Sequence, residues 1–425
     1  MKDGFIKVAA GVPRCTVADT AANTAEIKRL IDKADTEKIN LLALPELCIT
    51  AYTCGDLFFS QALLISAEKA LAEICEYTAG KYPIIIVGVP LLYRSKLYNC
   101  AAVLQGGKIL GIVPKTYMPN YAEFYEQRQF SSGRSIEQNA EINISGVPAP
   151  FGTGLVFAHS EMPEYTFGIE ICEDIWAAAQ PSERLCRGGA NIVINPSASN
   201  EIIGKAVYRR TLVLSTSARL LCGYIYVSSG SGESTQDLVY SGHCIIAENG
   251  TSLAENKPFE EKELTVTEID VKKLAYERHK NTSFEPVTDV TFVKFNQEIR
   301  KTEITRPIDK APFVPSDKAA LSSRAEAILR IQSYGLKKRL EHTRAKTAVI
   351  GVSGGLDSTL ALIVAVRAMK LLNRPLSDIC AVTMPGFGTT ERTHSNSEKL
   401  CSLLGVTFKE VNITAAVEQH FKDIG

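Results

Sequence analysis

Three side chains that could together cleave a carbon–nitrogen bond each belong to an apolar stretch of the sequence. Glu46 follows LLALP, Lys115 follows GIVP, and Cys172 lies in GIEICEDIW. We predict that all three lie at the carboxyl ends of strands, where α/β folds place their reactive groups. Taken singly, a buried cysteine is usually a packing residue, and a charged residue at a strand end is usually a solvated terminus. Together the three supply a nucleophile, an acid–base group and a cation.

These residue types suit the hydrolysis of an amide. The pKa of a free thiol is about 8.5, so a nucleophilic cysteine needs a base or a cation beside it. Glu46 would take the thiol proton and later activate water, while Lys115 and a backbone N–H next to Cys172 would stabilise the tetrahedral oxyanion. The chain has six histidines, and none has the sequence context of a cysteine-protease histidine. The pattern therefore favours a Glu–Lys–Cys triad over a Cys–His dyad.

A glycine-rich octapeptide, GVSGGLDS, has the residue types of a phosphate-binding loop. It lies between a predicted strand at residues 347–352 and a predicted helix at residues 359–372. Its glycines allow close backbone approach, and the N–H groups that open the helix attract an anion. We predict that the loop binds a nucleotide, with Asp357 as a Mg²⁺ ligand; the alternative is a glycine-rich helix cap without a ligand. The loop comprises Gly351, Val352, Ser353, Gly354, Gly355, Leu356, Asp357 and Ser358.

The composition indicates a globular protein of two or three domains. The chain has 425 residues, of which 45% are hydrophobic, enough for sizeable cores. Lys+Arg and Asp+Glu number 47 each, so no overall electric field favours nucleic acid or an anionic membrane. No apolar run is long enough to span a bilayer. The 11 cysteines contain no CxxC pair, which predicts a reducing, cytoplasmic setting without disulfides or structural zinc.

Short apolar strands alternate with helices over residues 1–280, which predicts an α/β domain whose sheets are covered by helices. A hairpin is predicted over residues 97–113, with Gly106 and Gly107 at its turn. Prolines interrupt the pattern over residues 281–320, which we interpret as a linker. The alternation resumes over residues 321–425, which predicts a second α/β domain. Strands of the first domain are predicted to begin near Phe5, Leu41, Pro83, Phe167, Ala190 and Gly223, and helices to span residues 23–38, 61–78 and 205–221.

Residues 1–280 resemble the nitrilase, or carbon–nitrogen hydrolase, family. Glu46 in PEL, Lys115 in PKTYMPNY and Cys172 in ICED match its three motifs. The resemblance implies a four-layer αββα sandwich that carries a Glu–Lys–Cys triad. It also implies that Glu123 in NYAEFYE supports the triad, and we assign a second supporting role to Glu173, directly after the cysteine.

The loop GVSGGLDS is similar to the pyrophosphate loop of the ATP pyrophosphatases, which adenylylate a carboxyl or carbonyl group. A nitrilase-like domain followed by such a loop resembles the family of glutamine-dependent NAD⁺ synthetases, as do the segments NPSASNEIIGK and MPGFGTTERT. The resemblance covers essentially the whole chain. It implies that residues 321–425 are the first part of a Rossmann-like parallel α/β domain of the adenine nucleotide alpha hydrolase type, with ATP bound at GVSGGLDS.

In that family the first domain hydrolyses glutamine through a thioester and releases ammonia. The second domain uses ATP and Mg²⁺ to adenylylate the nicotinate carboxylate of deamido-NAD⁺, and ammonia that arrives through an internal tunnel displaces AMP. The resemblance implies the same reaction here, with Tyr121, Ser199 and Lys205 holding glutamine, in a cytoplasmic homo-oligomer. By residue type alone, Ser199 fits a turn or N-cap equally well, and Tyr121 fits a packing aromatic.

Residues 321–425 are fewer than the synthetase domain of that family contains. We therefore expect an incomplete second domain and a chain that by itself hydrolyses glutamine but forms little or no NAD⁺. Three alternatives stay open: a stand-alone amidase or nitrilase for another amide, a nucleotide-binding or regulatory module with an incidental triad, and an ammonia-fed adenylylating enzyme with a different acceptor. The nitrilase-type first domain argues against the last.

Overall fold

The chain folds into two compact units, Met1–Pro307 and Ile308–Gly425, in a computed structural model. The structure describes residues 1–386 and 391–425.

The first unit contains fifteen strands within its described residues. They are β1 (Phe5–Gly11), β2 (Leu41–Ala43), β3 (Ile84–Tyr93), β4 (Lys96–Gln105), β5 (Lys108–Pro114), β6 (Ala140–Ile144), β7 (Val147–Phe151), β8 (Leu155–His159), β9 (Thr166–Ile169), β10 (Ile192–Ser197), β11 (Gly223–Ser228), β12 (Cys244–Glu248), β13 (Thr251–Glu255), β14 (Leu264–Asp270) and β15 (Thr291–Phe295). Its α-helices are α1 (Thr20–Thr36), α2 (Gln61–Tyr77), α3 (Pro181–Arg187), α4 (Lys205–Arg219) and α5 (Val271–Lys280).

The strands form two mixed sheets. The first has the order β14-β1-β2-β3-β4-β5-β7-β6, and the second has the order β13-β12-β11-β10-β9-β8-β15. In the first sheet β1, β2 and β3 are parallel neighbours, and β5 returns to their direction through the antiparallel β4. In the second sheet β9, β10 and β11 are parallel. The carboxyl ends of these parallel strands therefore lie at one edge of each sheet.

Alternating side chains of these strands hold the layers together. In β1, Ile6 and Val8 are buried in a core that also contains Phe167 and Ile225 of the second sheet, because successive strand residues point to opposite faces. Ala9, the residue after Val8, packs with residues of α1 and α2 instead. Helices α3 and α4 cover the outer face of the second sheet. The four layers, helix–sheet–sheet–helix, confirm the predicted αββα sandwich.

The predicted linker over residues 281–320 needs correction in its first part, because the first unit continues to Pro307. Strand β15 joins the second sheet parallel to β8. Further on, the Thr305 hydroxyl and the Arg306 backbone N–H donate to the buried carboxylate of Glu268 at 2.8 and 3.0 Å. These partners are far away in the sequence, so a local pattern interrupted by prolines does not reveal them.

The second unit has a three-stranded parallel sheet of order β16-β17-β18 in its described residues. A small apolar core between the sheet and its helices includes Leu362, Ala365, Met369 and Ile379. The elements are α6 (Lys318–Thr343), β16 (Ala348–Gly351), α7 (Leu356–Leu371), β17 (Ile379–Thr383), α8 (Glu391–Leu404), β18 (Thr407–Glu410) and α9 (Thr414–Ile424). Among the helices of the described segments, none combines the length and the apolar character that crossing a bilayer requires.

Candidate active site

Glu46 lies just beyond the carboxyl end of β2, where a glycine of the next strand lets its backbone approach closely. A Cβ atom on Gly88 would lie 2.1 Å from the backbone nitrogen of Leu47 and 2.7 Å from the carbonyl carbon of Glu46, distances that no side chain can adopt. The carboxylate is fully buried and accepts three hydrogen bonds. They come from Asn99 Nδ2 at 2.6 Å, Lys115 Nζ at 2.7 Å and the backbone N–H of Ala198 at 2.8 Å. Glu46 is therefore fixed in orientation.

Lys115 directly follows β5 and lies between two buried carboxylates. Its Nζ donates to Glu46 Oε1 at 2.7 Å and to both oxygens of Glu126 at 2.7 and 2.9 Å. Burial alone would lower the pKa of Lys115, but the charges of Glu126 and Glu46 outweigh it and raise that pKa well above its usual value. Lys115 is therefore a permanent buried cation next to the acid–base candidate.

The glutamate that supports the lysine is Glu126, three residues after the one that the sequence analysis names. Glu123 accepts a hydrogen bond from Asn200 Nδ2 at 2.7 Å instead. Burial raises the pKa of Glu126, and the Tyr52 hydroxyl donates to its Oε1 at 2.8 Å. Both glutamates lie in the same short motif, NYAEFYE, and no feature of that motif indicates which of them turns inward.

Cys172 begins a short 3₁₀ turn, Cys172–Ile175, just after β9. Its φ of 44° lies in the left-handed region, which costs a non-glycine residue about 1–3 kcal/mol and is common at active sites. Burial, and next the charge of Glu46, raise the pKa of the thiol above its usual value, whereas Lys115 lowers it. The thiol is therefore neutral at rest, and all three triad residues interact electrostatically in one buried place.

Asp174 connects the turn that contains Cys172 to the segment that follows Lys115. Its buried carboxylate accepts the backbone N–H of Ile171 at 2.8 Å and that of Tyr117 at 2.8 Å. These donors flank Cys172 and Lys115 in the sequence, so one side chain sets the spacing between nucleophile and cation. The sequence gives no local sign of this role of Asp174, because Asp174 and Tyr117 are 57 residues apart in the chain.

The three residues predicted to hold glutamine surround the same region. The Tyr121 hydroxyl donates to both oxygens of Glu173 at 3.0 Å. Lys205 opens α4, donates to Asn200 Oδ1, and has its ammonium within 5.4 and 5.6 Å of the ring centroids of Phe124 and Trp176. Burial lowers the pKa of Lys205.

Ser199, the third of these residues, follows β10 and is buried. Its hydroxyl lies 3.5 Å from Arg209 Nη2, and its backbone N–H donates to Ser228 Oγ at 3.2 Å. The loop that carries it is also the loop whose Ala198 N–H binds Glu46. Ser199 is therefore held within two residues of a direct contact to the triad.

A cavity of about 470 Å³ lies next to Glu126 and Glu123, although neither the triad nor the three predicted glutamine-binding residues line it. Its wall includes Tyr52, Glu123, Phe124, Glu126 and Tyr240, so the carboxylate that contacts Lys115 is also a lining residue. The space fits a small polar molecule.

The predicted nucleotide loop lies in the second unit, between β16 and α7. Gly354 has a φ of 78°, which only glycine adopts easily. The Ser353 and Ser358 hydroxyls lie 3.3 Å apart, and the Gly355 N–H faces Ser353 Oγ at 3.3 Å. Asp357 lies exposed in the first turn of α7. The loop thus presents backbone N–H groups and hydroxyls, as a phosphate requires.

The donor set suits Mg²⁺ only in part. Among the side chains of residues 1–386 and 395–425, no three from His, Cys, Asp or Glu lie close enough together to hold a metal ion. One carboxylate, that of Asp357, is compatible with a Mg²⁺ ion that takes its other ligands from phosphate and water. Residues 387–390, in the middle of the segment MPGFGTTERT that resembles the glutamine-dependent NAD⁺ synthetases, lie outside the described residues.

Comparisons with known proteins agree with both halves of this description. The family model for Carbon-nitrogen hydrolase matches residues 7–276, and that for NAD synthase matches residues 328–424. The chain is similar to the glutamine-dependent NAD(+) synthetase of Mycobacterium leprae, 37% identical over 99% of this chain and 63% of that protein. The Mycobacterium tuberculosis synthetase is 38% identical over 98% of this chain and 63% of its own length. The chain therefore spans less than two thirds of the length of these relatives.

Solved structures confirm the fold. A glutamine-dependent NAD(+) synthetase from Cytophaga hutchinsonii superposes with a TM-score of 0.56 at 21% identity, covering 99% of this chain and 67% of that one. Saccharomyces cerevisiae Nit3, a member of the nitrilase superfamily, superposes with a TM-score of 0.51 at 21% identity over 66% of this chain and 95% of its own. With a family model that matches more than half of its residues, the chain belongs to the carbon–nitrogen hydrolase family.

Proposed function

We propose that this chain hydrolyses glutamine at Cys172 and that the ammonia serves the ATP-dependent amidation of deamido-NAD⁺, as in a glutamine-dependent NAD⁺ synthetase. The observation that carries the proposal is the buried cluster in which Lys115 binds Glu46 beside Cys172. Its second support is the match of residues 328–424 to NAD synthase. An enzyme that needs ammonia is a natural partner for an amidase in the same chain.

The first half of the glutaminase reaction forms a thioester. Glu46 takes the proton of the neutral Cys172 thiol while the sulfur attacks the carboxamide carbon of glutamine. The oxyanion that develops is stabilised by the Lys115 ammonium and a backbone N–H next to Cys172. When the C–N bond breaks, Glu46 returns the proton to the leaving nitrogen, so that ammonia departs and a glutamyl thioester remains.

Water completes the reaction. With ammonia gone, the Glu46 carboxylate accepts a proton from a water molecule, whose oxygen attacks the thioester carbon. Lys115 again faces the oxyanion. The C–S bond then breaks, glutamate leaves, and the sulfur regains a proton. Because Glu126 balances the charge of Lys115 on its other side, the cation keeps its position throughout this cycle.

Tyr121, Ser199 and Lys205 would hold the substrate. Lys205 supplies a partly buried cation for the α-carboxylate of glutamine. Burial lowers the pKa of Lys205, which means that its charged form is destabilised and that an anionic partner would stabilise it. The Glu173 carboxylate, already bonded to Tyr121, would face the α-ammonium group. A site with a cation and an anion at fixed positions selects an amino acid over a simple amide.

The second unit would bind ATP at Gly351 to Ser358, with Asp357 as the protein ligand of Mg²⁺. A bound Mg²⁺ would neutralise the charge of the pyrophosphate group as it leaves. A carboxylate oxygen of deamido-NAD⁺ attacks the α-phosphorus of ATP, pyrophosphate leaves, and ammonia then attacks the acyl carbon and displaces AMP. In this chain, the N–H groups and hydroxyls of the loop would orient the phosphates.

The assembly and location belong to the same proposal. We infer a homo-oligomer in the cytoplasm, where the eleven cysteines, all free thiols in the structure, stay reduced. Light scattering on the purified chain tests the assembly, and a monomer at all concentrations would contradict it.

The proposal is tested by measuring ammonia released from glutamine by the wild type and by Cys172→Ala, with propionamide as a second substrate. We expect the wild type to prefer glutamine strongly and the variant to release none from either. Equal turnover of both amides by the wild type would favour a general amidase, and full activity of Cys172→Ala would exclude the proposed nucleophile.

A further inference from the structure

Tyr240 lies at the wall of the cavity in a loop that precedes β12. Its backbone forms an antiparallel bridge with Asn200, whose side chain contacts both Glu123 and Lys205. The Tyr240 ring packs edge-on against the ring of Tyr52, with centroids 6.2 Å apart. The tyrosine is thus fixed from two sides, through its backbone and through its ring.

The hydroxyl of this fixed tyrosine has no protein partner. Only 3% of the residue is exposed, and its oxygen is buried without a hydrogen bond to any described residue. A buried hydroxyl left unpaired is unfavourable, so such groups normally find a partner. Its neighbour Tyr52, by contrast, donates to Glu126 at 2.8 Å. A ligand in the adjoining cavity would give Tyr240 the partner that the protein does not supply.

A short series of contacts connects Tyr240 to the triad: its ring packs against Tyr52, the Tyr52 hydroxyl donates to Glu126, and Glu126 accepts from Lys115. Burial, and next the charge of Glu233, raises the pKa of the phenol, so its proton stays in place and the hydroxyl is a donor.

The triad itself has few spare donors. The three hydrogen bonds of Lys115 all go to Glu46 and Glu126, and the Ala198 N–H is bonded to Glu46. A carboxamide that enters the cavity brings a carbonyl oxygen with two lone pairs. It needs donors in addition to those already committed to carboxylates.

We propose that the Tyr240 hydroxyl donates a hydrogen bond to the carboxamide of the bound substrate, which makes Tyr240 a substrate-contacting residue of the glutaminase site. This inference rests on the proposed function, because glutamine supplies the carboxamide. The bond orients the scissile group towards Cys172, and it satisfies a hydroxyl that is otherwise unpaired.

The test compares Tyr240→Phe with the matched control Tyr165→Phe. Tyr165 is also buried with an unpartnered hydroxyl, but it packs between His159 and Phe295 in the core between the sheets. Each variant removes one oxygen and keeps the ring. We expect kcat/KM for glutamine to fall about tenfold in Tyr240→Phe, the effect of one lost hydrogen bond to substrate, and to stay at the wild-type value in Tyr165→Phe.

Two further readouts separate substrate contact from a structural role. Alkylation of Cys172 by iodoacetamide needs no amide recognition and is expected to be unchanged in Tyr240→Phe, as is the melting temperature. Inactivation by a glutamine-like chloroketone is expected to slow by the same factor as kcat/KM. Wild-type kcat/KM in Tyr240→Phe would overturn the inference, and so would slower iodoacetamide alkylation, which would make Tyr240 a positioning residue. Absence of glutamine hydrolysis by the wild type would overturn the proposed function and this inference together.

Discussion

At the scale of single residues, the site depends on one ammonium held between two buried carboxylates. Glu46 Oε1 and Glu126 Oε1 are both 2.7 Å from Lys115 Nζ. Each carboxylate alone would pay a desolvation penalty that the shared cation offsets. Glu126 gives the Lys115 ammonium a second partner that keeps it in position next to Glu46.

Replacing Glu126 by Gln is expected to lower kcat for glutamine by about 100-fold, because the Lys115 ammonium loses its second counter-ion and shifts towards Glu46, which then is a weaker base. Steady-state ammonia release measures the effect. The comparison variant is Glu123→Gln, which keeps an acceptor for Asn200 and is expected to change kcat far less. A larger loss in Glu123→Gln than in Glu126→Gln would return the supporting role to Glu123.

The raised pKa of the Cys172 thiol predicts how fast this thiol is alkylated in the enzyme without substrate. Burial and the charge of Glu46 oppose the thiolate, so the thiolate fraction at neutral pH is lower than in a free cysteine. The rate of Cys172 alkylation by iodoacetamide is expected to keep rising with pH beyond about 8.5, the value of a free thiol.

Glu46→Gln removes one of the charges that raise this pKa, so its alkylation profile is expected to shift to lower pH although its turnover is lost. Mass spectrometry of the peptide that contains Cys172 gives the rate without interference from other thiols. A plateau below neutral pH in the wild type would mean a preformed thiolate and would contradict the role of Glu46 as the base.

At the scale of elements, the close approach of β3 to the turn after β2 decides where Glu46 lies. A methyl group on Gly88 would overlap the backbone of Leu47. Backbone atoms in a strand turn cannot move to relieve this overlap, whereas the end of a flexible side chain could. The strand must therefore have glycine at this position for the Glu46 carboxylate to reach Lys115.

We expect Gly88→Ala to abolish glutaminase activity and to lower the free energy of unfolding by a few kcal/mol, as overpacking in a core does. Chemical denaturation and the ammonia assay measure the two effects. Gly152→Ala is the matched control, since a Cβ atom there meets nothing within 4 Å, and we expect it to be active. Full activity of Gly88→Ala would contradict this account of how Glu46 is positioned.

The sequence predicts these elements well where a local pattern specifies them. The helix predicted at residues 61–78 is found as Gln61–Tyr77, and the predicted hairpin turns at Gly106 and Gly107, both with positive φ. It does not predict Gly88, Asp174 or the inward turn of Glu126, since each depends on a contact with a residue distant in the chain. Strand β15 falls in the stretch interpreted as a linker, because its pairing with β8 joins residues that are distant in the chain.

At the scale of the whole molecule, the two proposed sites lie in two different units. The first contains every residue of the proposed glutaminase site, and the second contains the predicted nucleotide loop. We therefore expect the chain to hydrolyse glutamine without ATP, because the proposed site uses residues of the first unit alone. The comparisons confirm that both halves resemble glutamine-dependent NAD⁺ synthetases. The sequence predicts this resemblance because short motifs with fixed chemistry can be recognised even where the residues between them vary.

The central claim is that Cys172 carries the glutamyl group during turnover. In the most direct measurement, the wild type and Cys172→Ala are each mixed with glutamine and quenched with acid. The mass of the peptide that contains residue 172 is then determined by mass spectrometry. We predict a glutamyl adduct on the wild-type peptide and neither adduct nor ammonia with the variant. Ammonia released at equal rates by both proteins, with no adduct on Cys172, would contradict the account.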